Sequence, residues 1–157
     1  MPKISIIVAA YNVEEYLQQC LNSLSNQTFS DFEAIIVNDA STDATAEILR
    51  RSAEKDPRII PVTHPHNQGL HLTRKTGVEH ASGEYAFFLD GDDDLAPETC
   101  AQLAEEINQH PVDILHFGIS VIGENGILDD ECKAFEAFNN TQALHWLRYR
   151  SKHLCRS

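Results

Sequence analysis

The chain has 157 residues, of which 42% are hydrophobic and 23% charged, a composition typical of an ordinary globular domain rather than a disordered or fibrous chain. Its formal net charge of -12 at pH 7 repels phosphate backbones and anionic lipid headgroups, so nucleic acid is not expected as a partner. An anionic small substrate would need a local positive charge, from a bound divalent cation or a well-placed Arg.

No apolar run approaches the roughly 20 residues that cross a bilayer as a helix. Residues 1–3 and the short apolar run after them lack the layout of a secretory signal, so the sequence predicts a cytoplasmic protein. Peripheral association of the full-length protein with the inner face of the membrane is left open. Isolated, reduced thiols are expected, because the cysteines have no zinc-type spacing: Cys20, Cys100, Cys132 and Cys155.

Short apolar runs alternate along the chain with amphipathic stretches. The first run, residues 4–9, is followed by a helix for which Asn12 is the expected N-cap, with an apolar stripe of Tyr16, Leu17, Cys20, Leu21 and Leu24. Further strands are predicted over 34–37, 58–62, 85–89 and 112–121, and further helices over 43–55, 69–81, 97–110 and 141–149.

Strands and helices that alternate this regularly predict a three-layer α/β/α fold around a mostly parallel sheet. Ligands of such folds bind beyond the carboxyl ends of the strands, where the strand order reverses. The pattern holds to residue 122, which predicts one domain over 1–122. Residues 123–140 are acidic and turn-rich, and we interpret residues 123–157 as the start of an acceptor-side region that is truncated.

The strongest chemical signal is the acidic cluster Asp-Gly-Asp-Asp-Asp at residues 90–94, directly after a predicted strand. Four carboxylates in five residues repel one another, and a bound cation would relieve this repulsion. Oxygen ligands of this kind select magnesium, manganese or calcium. An EF-hand is excluded, because Leu95 stands where that loop needs Gly and Ala101 where it needs an acid. A phosphohydrolase with Asp90 as nucleophile and a merely solvated acidic turn remain alternatives.

Two more polar clusters follow predicted strands. Asp39 ends the second strand, where its carboxylate can accept the N–H of a uracil ring, and Ser41, Thr42 and Asp43 are expected to cap the next helix. Tyr11 follows the first strand, and either offers its ring to a base or packs on the next helix. No Gly follows that strand, so the glycine-rich turn of dinucleotide oxidoreductases is absent.

Positive charge near these clusters comes mainly from Arg74 and Lys75, shortly after Asn67-Gln68-Gly69. Arg74 would lie one turn into the third helix, within reach of a diphosphate or a base edge.

Together these stretches resemble family 2 glycosyltransferases, inverting and usually bacterial enzymes that build surface polysaccharides and related glycans. The resemblance covers about the first 95 residues. It rests on matching motifs in the expected order: residues 5–8 with Tyr11-Asn12, 27–29, 38–43, 67–69, Arg74, Gly77, 81–85 and 88–93.

The resemblance implies a GT-A fold and a D-x-D element that binds Mn2+ or Mg2+ through Asp90 and Asp92. It also implies that Asp39 contacts uracil, that Tyr11 lines the base pocket and that Arg74 helps hold the nucleotide. The full nucleotide-sugar site expected from it is Ala9, Tyr11, Asn12, Asp39, Asn67, Gly69, Arg74, Asp90 and Gly91.

The sequence departs from the family pattern at Asn38 and Ala40, where Asp and Gly are usual, at Ala9-Ala10, which replace a Pro, and at Lys75, where Asn is common. The general base of inverting transfer lies well beyond the D-x-D element in this family, and none of the later acids has a recognisable context. No catalytic base is assigned, and it is expected beyond Ser157.

The sequence therefore predicts the donor-binding part of a metal-dependent hexosyltransferase. Its expected partners are a nucleoside-diphosphate sugar, UDP-linked by the resemblance, and a glycan or lipid-linked acceptor. Two alternatives stay open: phosphoryl hydrolysis at Asp90, and a non-catalytic nucleotide-sugar-binding module.

Overall fold

A computed structural model describes residues 1–116, 120–123, 126–130 and 136–138 of the chain. Strands and helices alternate through its first half, as the sequence predicts. The elements are β1 (Ile4–Ala10), α1 (Leu17–Ser25), β2 (Phe32–Asn38), α2 (Thr45–Lys55), β3 (Ile59–Thr63), α3 (Leu70–His80), β4 (Tyr85–Asp90), α4 (Thr99–Gln109), β5 (Ile114–His116), β6 (Ser120–Gly123), β7 (Gly126–Asp130) and β8 (Glu136–Phe138).

The first four strands form one parallel sheet in the order β3-β2-β1-β4. Strands β1 and β2 lie in its centre, and their side chains are almost completely buried. Parallel sheets are covered by helices on both faces, which is why these two strands read as nearly continuous apolar runs. The prediction of a mostly parallel sheet is confirmed.

The direction of the crossovers positions the helices and the ligand crevice. From β1 to β3 the chain moves one way across the sheet, and then returns to place β4 on the other side of β1. Right-handed crossovers therefore put α1 and α2 on one face and α3 on the other, which gives the expected three layers. The strand order reverses between β1 and β4, so the ligand crevice is expected beyond the ends of these strands.

The first helix begins later than the sequence predicts. It starts at Leu17, its N-cap is Tyr16, and no side chain caps it, so the prediction that Asn12 caps this helix is wrong. Four of the five residues of the expected stripe are buried, whereas Tyr16 is 50% exposed. The local pattern identified the buried face correctly, but Asn12 is used by another element, as described below.

The other helices lie close to their predicted ranges. The N-cap of α2 is Ala44 and no side chain caps it, so the prediction that Ser41, Thr42 and Asp43 cap this helix is wrong. Asp43 supports the same turn, because its Oδ1 accepts a hydrogen bond from the Thr45 backbone N–H at 3.0 Å. Ser41 and Thr42 do not share that role, because both contact Asn12. Cys20 and Cys100 are free and buried, in agreement with the expectation of isolated thiols.

The strand predicted over 112–121 is found as two strands, β5 and β6, and residues 117–119 lie outside the described residues. Strand β5 pairs antiparallel with β8, and β6 pairs antiparallel with β7. An apolar run specifies strand formation but carries little information about the partner, which explains why these separate pairings were not foreseen.

The described residues form two compact units that divide between Ala104 and Glu105, within α4. The boundary that the sequence suggests at residue 122 stays a prediction. The helix predicted over 141–149 lies outside the described residues. None of the helices in the described ranges is both long and apolar enough to cross a membrane.

Candidate functional site

A cavity of about 260 Å³ lies where the strand order reverses. Its wall comes from the carboxyl ends of β1, β2 and β4, from the segment before α3 and from the first turn of α3. The lining residues are Ala9, Ala10, Tyr11, Val13, Asp39, Asn67, Gly69, Leu70, Thr73, Asp90, Gly91 and Asp92. The structure thus brings together eight of the sequence-predicted site residues, and Asn12 and Arg74 are absent from this wall.

The charge of the wall is its most informative property. It contains the carboxylates of Asp39, Asp90 and Asp92, and none of its residues is Lys, Arg or His. A pyrophosphate alone would be repelled by such a wall. A cation that contacts both the wall and the pyrophosphate would relieve this repulsion.

Arg74 reaches the site indirectly. Its Nη2 donates a hydrogen bond to Oδ1 of Asp90 at 2.7 Å, and its guanidinium lies 5.5 Å from the centre of the Phe88 ring. Its Nε is buried and has no hydrogen-bond partner among the described residues. Arg74 therefore orients Asp90 at the cavity wall, and direct contact with a nucleotide stays a prediction.

Gly91 brings the acidic cluster close to β1. Its backbone N–H donates to the Ala9 carbonyl at 3.0 Å, and a Cβ at this position would lie 3.0 Å from that oxygen and 3.2 Å from Val13. A Cβ here would therefore be in tight contact with Ala9 and Val13, and these neighbours would have to shift by a few tenths of an ångström. The crowded carboxylates affect one another: burial, followed by the charges of Asp92, Asp90 and Asp94, raises the pKa of Asp93.

Helix α1 and Gln27, two residues beyond its end, hold the end of the acidic cluster and the segment after it, a role that the sequence did not reveal. Gln19 donates to Oδ2 of Asp94 at 2.7 Å, and Oγ of Ser23 accepts from the Leu95 backbone N–H at 3.0 Å. Gln27 is 7% exposed, and its side chain donates to the Ala96 carbonyl at 2.8 Å and accepts from the Cys100 N–H at 3.0 Å. Gln27, from the family motif at residues 27–29, therefore fixes the chain just after the acidic cluster.

Asp39 is buried and accepts three hydrogen bonds from described residues. His64 Nδ1 and the Gln68 N–H reach Oδ1 at 2.7 and 2.9 Å, and the Gly69 N–H reaches Oδ2 at 2.8 Å. Burial alone would raise the pKa of Asp39, but these hydrogen bonds hold it below its usual range. Gly69, which donates the third of these hydrogen bonds, has φ 84°, in the left-handed region that favours glycine.

Two asparagines near the site have structural partners. Oδ1 of Asn12 accepts from the Thr42 N–H at 2.8 Å, and Oδ1 of Asn38 accepts from the Ser41 N–H at 3.0 Å. Asn12 thus joins the segment after β1 to the segment after β2. Its assignment to the nucleotide-sugar site stays a prediction, as does base stacking on Tyr11, which lines the cavity and is 48% exposed.

The donor set suits a cation that is shared with a ligand. The described residues contain no group of three or more His, Cys, Asp or Glu side chains that could hold a metal ion by themselves. Asp90 and Asp92 both line the cavity and would supply two carboxylates. Mg2+ is commonly bound in this way, through one or two carboxylates, with water and substrate phosphates completing its shell.

Comparison with known proteins identifies the family. The family profile described as Glycosyl transferase family 2 matches residues 5–156. The chain belongs to glycosyl transferase family 2. EpsJ of Bacillus subtilis (strain 168), an uncharacterized glycosyltransferase, is 43% identical over 118 residues, which are 75% of this chain and 34% of EpsJ.

Solved structures agree with this family 2 assignment. The crystal structure of Staphylococcus aureus TarS residues 1–349 matches with a TM-score of 0.71 and 34% identity, over 79% of this chain and 37% of that one. TarS is a poly(ribitol-phosphate) beta-N-acetylglucosaminyltransferase, and its structure has been solved with UDP and with UDP-GlcNAc. The predicted GT-A fold is confirmed by these neighbours.

A more distant neighbour contains a metal. The mannosyltransferase PcManGT from Pyrobaculum calidifontis, in complex with GDP-Man and Mn2+, matches with a TM-score of 0.68 and 26% identity, over 76% of this chain and 36% of that one. The family 2 chain described here spans less than half the length of each of these relatives.

Proposed function

We propose that this family 2 chain is the donor-binding part of a metal-dependent, inverting hexosyltransferase. Its donor would be a UDP-linked sugar and its acceptor a glycan or a lipid-linked glycan, in polysaccharide or cell-surface glycan biosynthesis. One observation carries the proposal: three carboxylates and no basic side chain line a cavity at the carboxyl ends of parallel strands. Such a wall suits a diphosphate that arrives with a divalent cation.

The residues divide into a base end and a diphosphate end. Asp39 would accept the imide N–H of uracil, and Tyr11 would offer its ring to the base. Asp92 would contact the cation directly, and Asp90, already paired with Arg74, would meet the ribose or the water shell of the cation. Ala9, Asn67, Gly69 and Gly91 would form the surrounding wall.

Mn2+ or Mg2+ bound at Asp90 and Asp92 would act as a Lewis acid that stabilises the negative charge of the leaving diphosphate. The Mn2+ in PcManGT supports this choice. The protein side chains would orient the donor so that an acceptor hydroxyl can reach its anomeric carbon. The base that removes the hydroxyl proton is unassigned, because the described cavity carboxylates already have roles at the donor.

Family membership favours glycosyl transfer over the phosphohydrolase alternative. Asp90 is also a poor free nucleophile, because Arg74 donates to its Oδ1. A non-catalytic binding module would show metal-dependent UDP binding and no transfer in the full-length protein. The cytoplasmic location and any membrane association stay predictions of the sequence.

Calorimetric titration with UDP, with and without Mn2+, tests the proposal. We expect binding that requires Mn2+ and that weakens at least about tenfold in Asp92→Asn, because a ligand that holds the cation is lost. Asp94→Asn is the matched control, since Asp94 belongs to the same acidic cluster, contacts Gln19 and does not line the cavity. This control should stay within about threefold of the wild type. UDP binding that is equally strong after chelation of all divalent cations would overturn the metal-dependent assignment.

A further inference from the structure

His64 is a buried residue next to the base end of the cavity that nothing above assigns to binding. It directly follows β3 and is 7% exposed. Its Nδ1 lies 2.7 Å from Oδ1 of Asp39, and its Nε2 lies 2.9 Å from Oγ1 of Thr76 on α3. Its backbone N–H donates to the Asn38 carbonyl at 3.0 Å. Both ring nitrogens and the backbone are therefore held in place.

The proton positions follow from the partner. The hydrogen bonds to Asp39 hold its pKa below the usual range, so the carboxylate is ionised at neutral pH and acts only as an acceptor. His64 must then carry its proton on Nδ1 and donate it to Oδ1. Nε2 then forms the second hydrogen bond of the ring, with Oγ1 of Thr76.

The three hydrogen bonds leave one acceptor position on the carboxylate. His64 and the Gln68 N–H use both lone-pair directions of Oδ1, and the Gly69 N–H uses one of the two on Oδ2. The remaining acceptor position is on Oδ2 of Asp39, and Asp39 lines the cavity. A ring N–H can fill it, whereas a ring nitrogen that presents a lone pair would be repelled.

We propose that His64 is the positioning residue for base recognition, holding Asp39 as a fixed acceptor that selects uracil over cytosine. The inference rests on the proposed function, because it assumes that Asp39 faces the base of the donor. Uracil carries N3–H, which satisfies Oδ2, whereas N3 of cytosine carries a lone pair. His64 touches no substrate and acts through Asp39.

Selectivity depends on His64 for an electrostatic reason. Without the Nδ1 donor, a buried carboxylate would lose one of three stabilising hydrogen bonds, which favours its protonated form and frees it to rotate. A protonated carboxyl can donate to N3 of cytosine. Loss of the donor should therefore reduce the preference for UDP more than it reduces binding in general.

Calorimetric titration with UDP and CDP in the presence of Mn2+ tests this inference. In His64→Gln the amide replaces Nε2 and the donor to Asp39 is lost, whereas in His64→Asn the amide nitrogen takes the place of Nδ1. We expect His64→Gln to weaken UDP binding about tenfold and to reduce the UDP/CDP affinity ratio at least about fivefold. His64→Asn should keep both values within about threefold of the wild type.

The outcomes separate the possible failures. An unchanged UDP/CDP affinity ratio in His64→Gln, whether or not both affinities fall, would show that His64 only supports the fold. A wild-type protein that binds UDP and CDP equally, or an Asp39→Asn variant with an unchanged ratio, would instead contradict the assignment of Asp39 to the base.

A second variant covers the case in which His64→Gln does not fold. Thr76→Val keeps His64 and Asp39 and removes the hydroxyl that holds the ring. We expect it to reduce the UDP/CDP ratio about twofold to threefold. An unchanged ratio in a folded Thr76→Val protein counts against the proposed positioning of the ring.

Discussion

Ala40 adopts a left-handed backbone conformation, with φ 57°, directly after the carboxylate expected to bind the base. A side chain with a Cβ is disfavoured there by about 1–2 kcal/mol, and only glycine adopts the conformation freely. The family pattern that this chain resembles has Gly at this position. The departure at Ala40 therefore stores a small strain beside Asp39.

Ala40→Gly should stabilise the protein. Relief of the left-handed strain exceeds the added entropy of the unfolded chain, so we expect a gain of about 0.5–1 kcal/mol and a rise in Tm of roughly 1–3 °C. Thermal unfolding followed by circular dichroism measures it. Ala46→Gly, at an exposed position inside α2, is the matched control and should lose about 1 kcal/mol. A lower Tm for Ala40→Gly would show that the left-handed conformation of Ala40 does not destabilise the folded protein.

Individual residues of the site differ in how far the sequence could assign them. Asp39, Asp90 and Asp92 were identified because carboxylates at the ends of buried strands meet in one crevice of a parallel fold. Arg74 was identified as a nearby charge, but its partner Asp90 follows from the packing of α3 against the sheet. His64 carried no signal, because its partners are 25 and 12 residues away.

At the scale of elements, α1 and the residues after it determine where the acidic segment lies. Gln27 contacts the Ala96 carbonyl and the Cys100 N–H, so it joins the end of α1 to the chain on both sides of the start of α4. The sequence showed the apolar face of α1 but could not show these contacts. Polar contacts to another segment's backbone follow no periodicity, so no pattern along the chain reveals them.

Gln27→Leu should weaken both folding and cation-dependent binding. It leaves the Ala96 carbonyl and the Cys100 N–H without this partner, which we expect to cost about 2–4 kcal/mol in urea unfolding. UDP affinity in the presence of Mn2+ should fall, because the segment that Gln27 holds follows shortly after Asp92 and its displacement would move the acidic cluster. Gln18→Leu, on the exposed face of α1, should change stability by less than about 0.5 kcal/mol. Unchanged nucleotide affinity in Gln27→Leu would show that the contacts of Gln27 do not affect the nucleotide site.

Another family motif serves the opposite end of the sheet. Glu33 accepts hydrogen bonds from Ser5 Oγ at 2.6 Å and from the Ser82 backbone N–H at 2.6 Å, and the Gly83 N–H donates to Ser5 Oγ at 2.8 Å. This network joins the starts of β1, β2 and β4. Residues 81–85 thus match the family for a structural reason, although sequence alone gave them the same weight as the site motifs.

At the scale of the whole molecule, the net charge of -12 opposes the compact state through self-repulsion. The exposed Glu47, Arg50 and Arg51 form ion pairs on α2, but such surface pairs contribute little. Repulsion among the 24 Asp and Glu residues, which outnumber the 12 Lys and Arg residues, should therefore dominate the response to salt.

Salt should stabilise the protein at neutral pH. Between about 10 and about 300 mM NaCl, the screening length falls from roughly 30 Å to below 8 Å, and we expect Tm to rise by about 2–4 °C. The rise should largely vanish near the sequence pI of about 4.9, where the net charge is small. A Tm that falls with salt at neutral pH would mean that attractive pairs outweigh the repulsion.

The sequence by itself determined the alternation of strands and helices, the parallel sheet, the family and the acidic cluster at the end of β4. The alternation and the sheet follow from local periodicity, the acidic cluster from the crowding of carboxylates that a cation relieves, and the family from the resemblance of several motifs in the expected order. Only the tertiary structure decided that Asn12 bridges two segments, that Arg74 pairs with Asp90, and that His64, Gln68 and Gly69 surround Asp39. Those contacts join residues far apart along the chain, and the ones made by Arg74, Gln68 and Gly69 depend on how α3 packs on the sheet.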